Sequence, residues 1–182
     1  MTIPFAHRRP AVAAAILVCS LTLTPAACKR RRPTIRTTEE APVLASVVAT
    51  ADPHAAAQLV SGFYGVEQNY WRWTAGRFSV LLRPPRAAAA NGAVLQLKFA
   101  IPDAAMLKMK TVSLSAYVDG TALTPETYTQ AGQFIYSRDV PANLLGGDVT
   151  KVAFSVDKTI PASATDKREL GVVVSVIGFQ PK

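Results

Sequence analysis

The chain has 182 residues, a balanced apolar content of 49% and a formal net charge of +8. The surplus is local: from residue 50 onward 13 Lys and Arg stand against 10 Asp and Glu, so the body of the chain lacks the spread basic surface of a nucleic-acid binder. The two histidines are His7 and His54 and the two cysteines Cys19 and Cys28, too few and too near the N-terminus for a zinc cluster or for a Ser-His-Asp or Cys-His machine in the body.

The chain opens on His7, Arg8 and Arg9, then an apolar run from Ala11 to Leu23, then Ala26 and Ala27 ahead of Cys28. A basic start, an apolar stretch and a small-residue cleavage site make a secretory leader. Residues 1–27 are read as a signal peptide of lipoprotein type and Cys28 as its lipid-attachment point, although Pro25 stands where such leaders carry Leu. Two alternatives stay open: ordinary cleavage to a soluble secreted protein, and an uncleaved anchor. The 17 residues from Ala11 to Ala27 are at the short limit for a bilayer core of about 30 Å, and Lys29 to Arg32 would turn that anchor's end toward the cytoplasm. Cys19 leaves with the leader, so the mature chain has no partner for a disulfide at Cys28. The expected location is the bacterial envelope, on the periplasmic or outer side of a membrane.

Residues 28–57 read as a flexible basic tether. Lys29, Arg30, Arg31, Arg32 and Arg36 beside a membrane anchor favour anionic headgroups, and Pro33, Pro42 and Pro53 interrupt any period. Val43 to Val48 is either a short strand or a sticky patch, and Asp52-Pro53 predicts a capped turn over Ala55 to Leu59.

From residue 58 to 182 the period is two. Phe78, Val80 and Leu82; Leu95, Leu97, Phe99 and Ile101; Val112, Leu114, Ala116 and Val118; Val152, Phe154 and Val156 each alternate with polar or small residues, which sends one set to a core and the other to water. Pro84-Pro85, Asn91-Gly92, Pro102-Asp103, Asp119-Gly120 and Gly146-Gly147 separate the runs. Gly171 to Phe179 is apolar on both parities and predicts a central strand. Short strands with regular turns predict an all-β antiparallel sandwich or barrel.

Three segments carry a resemblance: Gly62-Phe63-Tyr64-Gly65-Val66-Glu67 with Tyr70-Trp71-Arg72-Trp73-Thr74; Val118-Asp119-Gly120; and Asp166-Lys167-Arg168-Glu169-Leu170-Gly171-Val172. In this order the chain resembles small β-sandwich modules of bacterial envelope proteins, some attached to glycosyltransferase-like membrane enzymes and similar to galactose-binding-like and carbohydrate-binding folds. The resemblance implies a jelly roll of about eight strands. It implies no catalytic residues, and sugar binding follows from it only by analogy.

Tyr64, Tyr70, Trp71, Arg72 and Trp73 form the densest aromatic group and are the candidate ligand-binding residues. Aromatic rings suit the apolar faces of sugars, and Arg72, Glu67 and Gln68 supply polar groups. On a strand Trp71 and Trp73 share one face while Tyr70 and Arg72 take the other, so core packing of one pair is the competing reading. Asp166, Arg168 and Glu169 are candidate structural polar contacts, with Arg168 pairing Asp139 or Asp166. The scattered aspartates have no Asp-x-Asp spacing, so no metal and no cofactor is assigned. The reading is a non-catalytic envelope protein that binds or organises glycans or protein partners. The alternatives are a carboxylate-dependent glycan hydrolase and a purely structural assembly subunit.

Overall fold

The computed structural model describes residues 44–182. Cys28, the leader and residues 28–43 of the expected tether lie outside them. The strands are β1 (Val47–Ala49), β2 (Leu59–Glu67), β3 (Trp71–Leu82), β4 (Ala93–Ile101), β5 (Val112–Val118), β6 (Thr121–Ala122), β7 (Glu126–Tyr128), β8 (Gly132–Val140), β9 (Thr150–Val156) and β10 (Val173–Pro181). Two short helices, α1 (Ala88–Asn91) and α2 (Asp103–Met109), flank β4.

All ladders are antiparallel. One layer orders β1-β10-β4-β8 and the other β3-β9-β5-β7. The chain passes back and forth between the layers as it runs from β3 to β4 to β5 and from β7 through β8 and β9 to β10, which is jelly-roll connectivity. The predicted sandwich is therefore present. It has ten strands rather than about eight, because β2 adds to the free edge of β3 and the β5 edge is paired by two short pieces, β6 and β7.

Strand β3 joins the layers. Its start pairs with β10 (Trp73 opposite Val173, Arg72 opposite Val174) and its end pairs with β9 from Arg77 to Leu82. From Thr74 onward the even positions Thr74, Phe78, Val80 and Leu82 are buried, while the odd positions Trp71, Trp73, Arg77 and Leu81 are at least partly exposed and Ser79 is the buried exception. This one parity places its outward residues on both faces of the molecule.

The core lies where the period-two runs meet. Leu95, Leu97, Phe99 and Ile101 of β4 face Leu114, Ala116 and Val118 of β5 and Val152 and Phe154 of β9, all buried. Phe78 and Phe154 stack at 5.0 Å, and Phe99 meets Tyr128 of the opposite layer at 5.1 Å. Each large apolar side chain hidden this way contributes about 1.5–3 kcal/mol. Tyr136 crosses the core and donates its hydroxyl to the Thr124 carbonyl at 2.7 Å.

The folded body begins ahead of residue 58, which corrects the expected tether boundary. Val47, Val48 and Ala49 pair with Gly178, Ile177 and Val176, and Thr50 is buried with its hydroxyl donated to Val174 O at 2.7 Å. β10 is a central strand, and β1 satisfies the edge that β3 leaves open. Gly178 permits this approach, since a Cβ there would stand 2.7 Å from the Val47 Cα. The Asp52 side chain caps a 3-10 turn by accepting the His54 amide at 2.8 Å, as the Asp-Pro pair predicts, but the turn runs Pro53–Ala57 rather than Ala55 to Leu59, and Leu59 already opens β2.

Candidate functional site

The register of β3, β10, β4 and β8 sets one cross-strand row: Trp73 opposite Val173, Val173 opposite Ala100, Ala100 opposite Gln133. Lys98 and Ile135 form a second row beside it. Ser175 sits in the register shift between Val174 and Val176 and donates its hydroxyl to Lys98 O at 3.3 Å. Residues two apart on a strand share a face, so Trp71 joins Trp73.

The β2–β3 turn forms the rim. Gln68 and Asn69 both take left-handed backbone angles (φ 51 and 54), and the Tyr70 amide closes onto Glu67 O at 3.1 Å. This tight reversal leaves Tyr70 67% exposed. Rows and rim enclose an open groove of about 610 Å³, lined by Gln68, Tyr70, Trp71, Trp73, Lys98, Phe99, Ala100, Pro102, Gln133, Phe134, Ile135, Val173 and Ser175. The Trp71 and Trp73 rings lie 6.3 Å apart at 86°, a corner rather than a flat shelf. Ile135, 56% exposed, adds an apolar patch, and Lys98 is the one charged residue in the lining. The side chains of Gln68, Lys98 and Gln133 have no hydrogen-bond partner among the described residues. Aromatic faces beside unused donors and acceptors are what a polar ligand with apolar faces needs.

Tyr64 and Arg72 do not line this groove. Arg72 alternates away from the tryptophans, donating from Nε to Thr50 O at 2.6 Å and from Nη1 to Tyr64 O at 2.8 Å. Tyr64 donates its hydroxyl to Glu169 O at 2.7 Å. Tyr70, expected to share the Arg72 face, instead lies in the turn and lines the groove, because the strand starts only at Trp71. Neither tryptophan is fully buried.

The second candidate group is a clasp around Arg168. Its Nη1 meets Glu67 at 2.8 Å, its Nη2 meets Asp166 at 2.9 Å, and its guanidinium lies 5.4 Å from the centre of the Tyr64 ring. The Arg168 side chain, then its own backbone amide, holds the Asp166 carboxyl down at about 2. The same bonds, Asp166 first and Glu67 second, raise Arg168 further above its usual value. Asp139 pairs with Lys182 at 3.1 Å instead. The Glu169 carboxylate accepts the Thr159 hydroxyl at 2.8 Å.

Sequence reasoning left out Lys98, Gln133, Ile135 and Ser175. Alternation puts Lys98 outside the core, yet only the β4–β8 register brings it to Ile135. Among the described residues no three His, Cys, Asp or Glu side chains gather as a metal site, and no helix is long and apolar enough to cross a membrane.

No protein-family model matches this chain, and no curated protein matches it. Solved structures similar to it include carbohydrate-binding modules and small parts of larger enzymes, among them a GH115 4-O-methyl-alpha-glucuronidase of which 17% is covered. One is the CBM36-1 domain of a multidomain xylanase from the hindgut metagenome of Trinervitermes trinervoides, 11% identical over 75% of this chain and 96% of that one, with a TM-score of 0.43. Another is a CBM36 module in complex with calcium and xylotriose, 8% identical over 74% and 98%, TM-score 0.41. A third is a family 35 carbohydrate binding module from an environmental isolate, 14% identical over 79% and 94%, TM-score 0.36. The jelly roll assigned above rests on strand order and register, not on these scores.

Proposed function

We propose that this protein is a non-catalytic glycan-binding module, held at the bacterial envelope by a lipid on Cys28. The observation that carries the binding reading is the groove: Trp71, Trp73 and Tyr70 stand beside Lys98, Gln68 and Gln133, whose polar atoms have no internal use. No carboxylate and no imidazole lines it, so the arrangement supplies contact rather than acid–base chemistry. Glu67 and Asp166 do come together elsewhere, but across a guanidinium that occupies both, which is no setting for a general acid and its partner.

Binding of a panel of cell-wall and storage oligosaccharides, followed by calorimetry, tests the reading. Removing both indoles (Trp71→Ala with Trp73→Ala) is expected to cost about 2 kcal/mol, roughly thirtyfold in affinity. Tyr70→Ala, which touches no core, is expected to cost about fivefold (about 1 kcal/mol) with an unchanged circular dichroism spectrum. Unchanged affinity in the Tyr70 variant and in a folded indole variant overturns the reading.

The anchor rests on the order of basic start, apolar run, Ala26-Ala27 and Cys28. Mass spectrometry of protein from its native membrane is expected to show an acylated N-terminal peptide beginning at Cys28. An intact Met1 peptide overturns this part alone.

A further inference from the structure

The face of the sandwich that does not carry the aromatic groove has its own depression, of about 410 Å³, between β2, β3, β9 and β5. We propose that it is a second binding site, for an acidic saccharide. Its floor is Ala153, which the register sets between Ser79 of β3 and Tyr117 of β5. The missing bulk at Ala153 makes the hollow, and the half-exposed Tyr117 ring forms one wall. Arg77 stands opposite Ser155 toward one end, and Lys151 occupies the other.

Four features select the ligand. The Arg77 and Lys151 head groups have no ion pair and no hydrogen bond among the described residues, so both charges remain available. No acidic side chain lines the depression. Asp119, which lies beside Lys151 across the strands, accepts the Lys151 amide at 2.9 Å and makes no ion pair with its ammonium. The two cations lie about four residues apart along the sheet, on the order of 13 Å, a span for a ligand bearing more than one anionic group. Finally, the Ser61 and Ser79 hydroxyls are held by each other at 2.8 Å, but the hydroxyls of Ser155 and Tyr117 have no partner among the described residues, and they and the phenol ring face are superfluous for a simple anion but suited to sugar hydroxyls and a sugar ring.

This site shares no residue with the aromatic groove and does not rest on the reading of that groove. The two sites share strand β3, where the exposed Arg77 continues the outward parity of Trp71 and Trp73.

The test uses the mature chain, an oligogalacturonate, its fully methyl-esterified form, and inorganic sulfate. Amide shifts in NMR spectra locate each ligand. The oligogalacturonate is expected to move Ala153 and Ser155, and the double variant Arg77→Gln with Lys151→Gln to weaken that response at least tenfold. The ester and sulfate are each expected to bind this face at least tenfold more weakly than the free acid. Shifts confined to Ala100 and Gln133 would place the acid in the aromatic groove and overturn the proposal while leaving the first reading intact. Equal responses to acid and ester, an equal response to sulfate, or an unaffected double variant also overturn it. Loss of binding at the first groove in the indole variants, with the Ala153 response retained, separates the two sites.

Discussion

The aromatic groove and the Arg168 clasp are made of the same materials. Both draw on the β2–β3 hairpin, both combine aromatic rings with charged and polar groups, and Trp73 borders both the groove and the hollow beside Arg168. They differ in how far their polar atoms are already satisfied. In the clasp the guanidinium is shared between Glu67 and Asp166, the Tyr64 hydroxyl is given to Glu169, and Arg72 is anchored on backbone carbonyls. In the groove Lys98, Gln68 and Gln133 face solvent with nothing to hold. A saturated cluster fixes a loop. An unsaturated one next to exposed rings has its contacts still to make. Residue type alone does not distinguish these cases, but the hydrogen-bond inventory does.

A reciprocal pair of variants breaks the comparison if it is false. Lys98→Met combined with Gln133→Leu removes groove polarity on exposed strand positions, where neither side chain supports the fold. Oligosaccharide affinity is expected to fall about tenfold, equivalent to about 1.4 kcal/mol for the lost hydrogen bonds, with a melting temperature unchanged within about 1 °C. Arg168→Met does the opposite. Its partly exposed ion pairs and its contact with the Tyr64 ring contribute about 1 kcal/mol together after solvent screening, which lowers the melting temperature by about 3 °C and leaves affinity within about twofold. Calorimetric binding and thermal melts on the same preparations check both arms, and a clasp variant that loses binding would merge the two regions into one site.

Much of this architecture was legible in the sequence where alternation is clean. Leu95 to Ile101 and Val112 to Val118 announce their strands because every second residue is large and apolar and the intervening ones are not. β8 is harder to read: Phe134, Tyr136 and Arg138 face inward, and two of those three carry polar ends, satisfied mainly by Thr124, Pro125 and Glu126 on another loop and strand, with the Ser137 carbonyl taking one Arg138 bond. Without β8 the row from Trp73 to Gln133 has no far wall, so the groove was visible only as its tryptophan side. Tyr64 was misleading for another reason. β2 shifts register between Leu59 and Ser61, between Ser61 and Phe63 and between Phe63 and Val66, and each shift resets which face a residue takes. No count along the chain recovers that parity. The Arg168–Asp166 pair was readable because an Asp two residues before an Arg can close locally. Glu67 joins it from 101 positions away.

The smallest expected effect concerns acid, and it sharpens the comparison because only one of the two regions should respond. Asp166 is held at about 2, below its ordinary 3.8, by Arg168. A carboxyl lowered on folding lends stability that is complete above the unfolded value, near 4, and disappears as the pH falls through the folded value, near 2. The clasp should therefore stay closed throughout the neutral and mildly acid range and open only near pH 2. An NMR titration of the Asp166 side-chain carbon is expected to show its midpoint near 2 in the native protein and a return toward 3.8 in Arg168→Met. The groove contains neither carboxylate nor imidazole, so neutral oligosaccharide binding should be flat between pH 5 and 8. A native midpoint near 4 would mean that Arg168 does not hold Asp166 in solution, and the contrast between a closed cluster and an open one would lose its clearest member.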